Sequence, residues 1–410
     1  MNRKAVVGWA LYDFANHAFV TVIPATVYSK YYALSVVGNE QGEGDFWWGL
    51  SVTTSMALVA FSSPPLGAIA DYAGVRKRFL FFLTYVSVAA TALMATVGKG
   101  DVLWGWFLAV VGTVGFEGAI VYYNAYLPEL APREWQGRLS AYGWAVGYVG
   151  GAVALGVALL FVQGGTLGGA FLSAAALFGL FAIPALVFLP GDRPATLSLA
   201  DAVRAGLTET RATLKRILHL PDLRGFLLAY LFYADGINTV VFFSSVFAGH
   251  TLGFTTPQVI QLYFVVQLSA FLGAWFWGRP TDLRGPKFVV MVTLIQWCLV
   301  VIAAYFVQTK PQFFLVAVLA GTGLGAVQAA SRTFMTTLIP RGHEAEFFGF
   351  YALVGKTSAI FGPMVFGLAS WFSGGNQRIA IVAIGLFFLA GLLLVWRVKA
   401  GGPTASPAER

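Results

Sequence analysis

Gly67-Ala-Ile-Ala-Asp71-Tyr-Ala-Gly74-Val-Arg76-Lys77-Arg78 and Gly278-Arg-Pro-Thr-Asp282-Leu-Arg284-Gly285-Pro-Lys287 share one pattern, Gly-x-x-x-Asp-x-x-Gly followed by base. Each segment follows a long apolar run, and each run is the second in its half of the chain. One copy is a weak signal, but two in register indicate an internal repeat. The residue types suit a turn at a membrane surface. Glycine allows tight approach where a helix ends and reverses, the aspartate caps the next helix or holds a neighbour's arginine, and the bases meet anionic headgroups. Gly67, Asp71, Gly74, Arg76 and Arg78, echoed by Gly278, Asp282 and Gly285, therefore read as a gate between two halves. The plainer alternative is a static turn carrying a topology signal.

Working outward from these segments, the rest of the chain is apolar. Of 410 residues, 58% are hydrophobic and only 11% charged, under half the charged fraction of a soluble domain, which is about a quarter. Such a chain cannot cover a water-facing surface. The apolar runs near 5–31, 46–70, 79–97, 102–127, 139–162 and 168–189, then 225–248, 257–278, 288–307, 311–337, 347–371 and 377–396, are each close to the roughly 20 residues that cross a bilayer. The expected fold is an all-α polytopic membrane protein with twelve transmembrane helices in two pseudo-symmetric six-helix bundles. Residues 1–190 and 223–399 form the bundles, 191–222 the linker and 400–410 a disordered tail. Polar residues dilute 46–70 and 347–371. The basic start is followed by a run too long for a signal peptide and without a small-residue cleavage pattern, so it reads as a retained first span. Within the linker, 198–218 reads as an amphipathic helix.

Lysine and arginine orient the chain. With both ends inside, the inner segments hold 20 of the 26; the outer ones hold Lys30, Lys99, Lys310 and Arg378, and Arg332 and Lys356 fall inside spans. That asymmetry places both termini in the cytoplasm and the chain in the cytoplasmic (inner) membrane. It also explains the net charge of +8 as membrane anchoring, with lipids rather than nucleic acid as the partner.

The repeated loop resembles the signature of the major facilitator superfamily. Within it, the chain resembles the bacterial UMF1-type transporters related to the Atg22 vacuolar amino-acid effluxers. The likeness rests on Trp9-Ala-Leu-Tyr-Asp13-Phe-Ala-Asn16, Tyr123-Asn124-Ala-Tyr-Leu-Pro128-Glu129-Leu, Ala234-Asp235-Gly236-Ile237-Asn238 and Gln328-Ala-Ala-Ser331-Arg332. His17 departs from the small residue expected after that asparagine. The resemblance implies a twelve-helix alternating-access carrier whose spans one, four, seven and ten line a central cavity.

Asp13, Glu117, Asp235, Arg332 and Lys356 lie within spans, where a charge near the bilayer centre costs about 2.5–3.5 kcal/mol on insertion scales and so faces a cavity or a partner. Asp13 with Asn16, and Asp235 with Asn238, repeat an Asp-x-x-Asn pair on one helix face in each half. Carboxylate and amide together suit an ammonium group, and either acid suits a coupling proton; a structural network is the alternative. Glu117, between Gly115 and Gly118, is the leading proton carrier, a fixed salt bridge being the alternative, with Asn124 on the same face and Tyr123 beside it. Gln328 and Arg332 suit a substrate carboxylate, with charge balance of Arg332 against Glu117 or Asp13 as the alternative. Lys356 suits a structural ion pair, and His17 a proton relay or a satisfied core position. Trp47 and Trp48 read as interfacial anchors, and the glycines at 143, 147, 150 and 151 as a small-residue face.

Other chemistries fail. Gly355-Lys356-Thr357-Ser358 lacks the upstream glycine of a phosphate loop, since residue 350 is Phe. Four scattered histidines and one cysteine, Cys298, offer no metal site, and no nucleophile–base set is present. The expectation is a secondary carrier of a small polar solute, an amino acid being the leading class, with protons as the coupling ion. It needs no cofactor and no obligate protein partner. An amphiphile or lipid translocator, or a non-transporting receptor or scaffold, are the alternatives.

Overall fold

The computed structural model describes residues 2–124, 126–130, 133–192, 194–339 and 344–399, and the regular structure among them is entirely helical. Eleven helical segments are long and apolar enough to cross a membrane, matching eleven of the twelve expected spans. The remaining one, span two, is the continuous 30-residue helix Glu43–Tyr72. At 1.5 Å per residue it is roughly 45 Å long, enough for a hydrocarbon core of about 30 Å. Ser51, Thr53, Thr54, Ser55 and Ser62 thin its apolar character. It tolerates them because it packs against spans four and eleven and the linker helix. The chain is an all-α integral membrane protein.

Spans three, four and six are Arg76–Leu93, Val102–Asn124 and Leu167–Phe188; span five is Arg133–Gln163. Spans seven to ten are Pro221–Leu252, Thr256–Arg284, Pro286–Phe306 and Lys310–Leu338, and span twelve is Gln377–Arg397. Two spans are interrupted. Span one runs as Arg3–Val22, breaks around Pro24, and resumes as Val27–Tyr31 with a π-helical turn at Tyr32–Val37. Span eleven is split into Glu344–Thr357 and Phe361–Phe372. Pro363 stands in the first turn of the second piece, where a missing backbone N–H removes no helical bond.

The expected amphipathic helix is present as Leu199–Leu218, started by the Ser198 hydroxyl accepting from the Asp201 N–H. Span one packs against five and six, and three against four and six; in the second half eight packs on ten and twelve on seven and nine. Span two against span eleven is the broadest contact between a span of one half and a span of the other.

The repeated turns need correction in detail. The helices continue through Gly67 and Gly278, which have open space around them. The chain reverses instead at Gly74 (φ +62°) and Gly285 (φ +84°), in the left-handed region that favours glycine. In the described partners, the bases brace their own half. Arg76 binds Glu129 and lies 5.3 Å over the Tyr126 ring. Arg78 pairs with Asp192 at 3.1 Å, and the Lys77 ammonium donates to the Leu189 carbonyl. The side chains of Asp71 and Asp282 lie outside the described residues.

Candidate functional site

A cavity of about 430 Å³ opens at mid-depth, and most of its wall comes from the first half of the chain. Span one contributes Asp13, Asn16 and His17; span four contributes Glu117, Tyr123 and Asn124; Asn238 reaches it from span seven. The sequence-predicted set is thus brought together in part. Asp235, Gln328, Arg332 and Lys356 are not on this wall.

The glycine face of span five explains why span one sits where it does. A Cβ at Gly150 would lie 2.2 Å from the Phe14 carbonyl oxygen, and one at Gly147 would strike the His17 ring. Span one therefore packs backbone to backbone against span five, with the Asp13 carboxylate and the His17 ring set against glycines 143 and 147 at the edge of the cavity. The Asn16 amide donates to the Asp13 carboxylate at 3.2 Å. His17 Nδ1 lies 2.8 Å from the Asp13 carbonyl oxygen. Tyr123 stacks on Trp9 and Tyr12 at 4.7 and 4.8 Å between ring centroids. Its buried hydroxyl lies against the Asp13 carboxylate.

Glu117 is held differently. The Lys356 ammonium, from the first piece of span eleven, lies 3.2 Å from its carboxylate, and each side chain is about one-fifth exposed (21%). This ion pair joins the two halves at mid-depth. The cavity wall then carries two carboxylates, with one ammonium behind one of them.

Asp235 departs from the expected symmetry with Asp13. It is 2% exposed, and both carboxylate oxygens accept the Gly362 N–H at 2.9 Å. Gly362 opens the second piece of span eleven, so this carboxylate sits at the positive N-terminal end of a half-helix. Asn238 donates to the Ser358 hydroxyl in the same break, at 3.2 Å. The second Asp-x-x-Asn pair thus ties the interruption of span eleven to span seven. Asp235→Ala should lower stability by about 1.5–3 kcal/mol, the range for a hydrogen bond to a charged group. Asp235→Asn, which keeps an acceptor, should recover most of that loss in thermal denaturation in detergent.

Gln328 and Arg332 are exposed on span ten, and among the described residues the Arg332 guanidinium has no carboxylate within ion-pair distance. Trp48, expected as a surface anchor, is 2% exposed and donates to the Phe242 carbonyl of span seven at 2.9 Å. That bond belongs to a seal between the halves at the end away from the linker. Ser29 bonds Ser245 (2.8 Å), Lys30 donates to the Phe254 carbonyl (2.6 Å), and Thr53 donates to the Ile360 carbonyl (2.9 Å). Sequence reasoning also missed Ser51, Ser55 and Thr113 on the cavity wall. The i, i+4 spacing of the two serines on a diluted helix was the available signal.

The sequence profile described as "Vacuole effluxer Atg22 like" matches residues 49–136 and 131–402. A relative in Bacillus subtilis (strain 168), described as an uncharacterized MFS-type transporter, YxiO, is 30% identical over 400 residues, covering 94% of this chain and 93% of that protein. Autophagy-related protein 22 of Cryptococcus neoformans var. neoformans serotype D (strain JEC21) is 28% identical over 285 residues, 63% of this chain but only 48% of the fungal protein. Among solved structures, a bacterial homolog of the human lysosomal transporter Spinster, inward-facing and occupied, superposes with a TM-score of 0.68 at 15% identity, covering 97% and 96% of the two chains. A D-xylose-proton symporter gives 0.66 at 15% identity, covering 96% of each. These two likenesses concern the fold alone. With its helices, its mid-membrane cavity and these relatives, the chain belongs to the Atg22-like family of the major facilitator superfamily and is a membrane transporter, not an enzyme.

Proposed function

We propose that this chain is a secondary carrier of a small polar organic solute bearing an amine, an amino acid being the leading class, and that protons are its coupling ion. The observation that carries the reading is the pairing inside the cavity. Asp13 has no lysine or arginine among the described residues within ion-pair distance, while Glu117 is held by Lys356 across the two halves. In a low-dielectric cavity an unmatched carboxylate favours a cationic group. Asp13, with the Asn16 amide beside it, supplies the ammonium site. Glu117 supplies the coupling step, because a proton on it releases Lys356 and lets residues 1–190 rock against 223–399. Gln328 and Arg332 stand as the solute's carboxylate partners in another stage of that cycle. The lysine and arginine asymmetry supports an inner-membrane location with both termini cytoplasmic, so the sealed end faces out.

The test is charge movement and internal pH in proteoliposomes challenged with pooled amino acids, peptides, sugars and nucleosides. One pool should give a saturable response accompanied by proton movement. Asp13→Asn should cut it by about 10- to 100-fold, the equivalent of a charge-assisted contact, at unchanged expression. Silence from folded protein in both channels for every pool would overturn the reading.

A further inference from the structure

A second buried carboxylate lies outside the cavity, in the seal. Asp45 stands in the first turn of the span-two helix, just before the apolar run 46–70, and is 0% exposed. The Gln377 amide donates to both its oxygens, at 2.8 and 2.9 Å, and the Ser370 hydroxyl donates to one at 2.5 Å. Its backbone N–H is taken by the Asn39 side chain at 2.9 Å. Gln377 is fixed in turn by the Thr251 hydroxyl of span seven at 2.7 Å. One carboxylate therefore gathers the start of span two, the end of span eleven, the start of span twelve and the end of span seven.

Every direct partner is neutral. Among the described residues no ammonium or guanidinium lies within ion-pair distance of Asp45. The other titratable groups at this end are engaged or exposed. Glu43 accepts from the Gln41 N–H, Arg378 donates to the Tyr305 carbonyl, and Lys30 donates to the Phe254 carbonyl. Glu40 and His250 are exposed, and His250 is the one whose charge acts on Asp45. A charge enclosed this way has only neutral donors to replace its water.

We propose that Asp45 is a proton-binding site of the outer seal: protonated it holds spans two, eleven and twelve together, and ionised it lets them part. The halves meet at this carboxylate, so separating them returns it to water and closing them removes it, which links proton occupancy to the position of the seal. A carboxyl enclosed among neutral partners only in the closed state stabilises that state at low pH, where it carries a proton, and ceases to do so as pH rises. The site is distinct from Asp13 and Glu117. It rests on the carrier reading only for which face is outer.

The test needs no solute. Spin labels at Gln163→Cys and Gln308→Cys, in a Cys298→Ser chain reconstituted in nanodiscs, report the separation of the halves at the sealed end by pulsed electron resonance. The short-distance population should fall as pH is raised from 5 to 9. Asp45→Asn should hold it high and independent of pH, while His250→Gln should keep the wild-type response. If Asp45→Asn fails to assemble, Gln377→Leu serves instead. It removes two donors to the charged form and should move the midpoint upward by about one pH unit, a tenfold change in proton affinity. A pH-independent wild type, a wild-type response in Asp45→Asn, its loss in His250→Gln, or an unmoved midpoint in Gln377→Leu would each overturn the proposal. Failure of the transport assay with this response intact would remove the solute reading and leave the proton site standing.

Discussion

Gly49→Ala should open the sealed end of the transporter. A Cβ at Gly49 would stand 2.4 Å from the carbonyl oxygen of Pro363, on the second piece of span eleven. Such a clash with backbone cannot be relieved by a rotamer change. Span two must back away from span eleven, and the Thr53 bond across that seam goes with it, as does the adjacent Trp48 bond to span seven. Inserting a methyl into a well-packed contact costs about 1–3 kcal/mol. The penalty falls on the sealed conformation alone, so the sealed-to-open ratio should drop by about 5- to 150-fold. A cysteine at Ser245, buried under the seal, in the Cys298→Ser chain provides the readout. A membrane-impermeant maleimide should label it faster by that factor when Gly49→Ala is present. Equal labelling rates would show that the seam is not the closing contact.

Glu117→Gln should be destabilising because of what it leaves behind. Lys356 would keep its charge inside the membrane with its partner gone. Breaking one side of a buried pair costs about 3–5 kcal/mol, and the partial exposure of both side chains (21% each) places this one toward the lower end. Lys356→Met alone should cost a similar amount. The double variant Glu117→Gln/Lys356→Met should recover most of the lost stability, giving a coupling energy that a double-mutant cycle reads directly. Thermal unfolding in detergent checks the cycle. Additive losses would mean that the pair contributes nothing as a pair.

Much of the architecture was legible because it is written in composition. Twenty-residue apolar runs, an amphipathic stretch at 198–218 and a glycine face on span five each report a local environment, and the helices follow them. Asp13, Asn16 and Glu117 were legible for the same reason, since a charge in an apolar run must find water or a partner. What the charge finds was not legible. Asp13 and Asp235 occupy equivalent places in a repeat, yet one faces a cavity and the other a helix end 127 residues further on. The Gly-Pro pair at 362–363 was visible in the sequence. That it opens a half-helix onto Asp235 depends on which spans become neighbours. Asp45 was hidden for the opposite reason, because an acid in a first helical turn reads as an ordinary helix start. Trp48 was misread through position alone, since the outer end of a span borders both the lipid interface and the other half.

The cavity draws its chemistry from one half, with Asn238, Val241 and Phe242 the residues of the second half on its wall among the described residues. On the carrier reading proposed above, a cargo seated there is a passenger of the first half, and the second half acts chiefly as its door. Because a ligand moves a conformational balance only through unequal affinity for the two forms, such a passenger has little leverage on the door. At the cavity the leverage lies in Asn238, a polar group of the second half on its wall, and in the Lys356–Glu117 pair, which crosses the divide. That reading lets tight holding and fast turnover be tuned separately, the first on spans one and four and the second on span eleven.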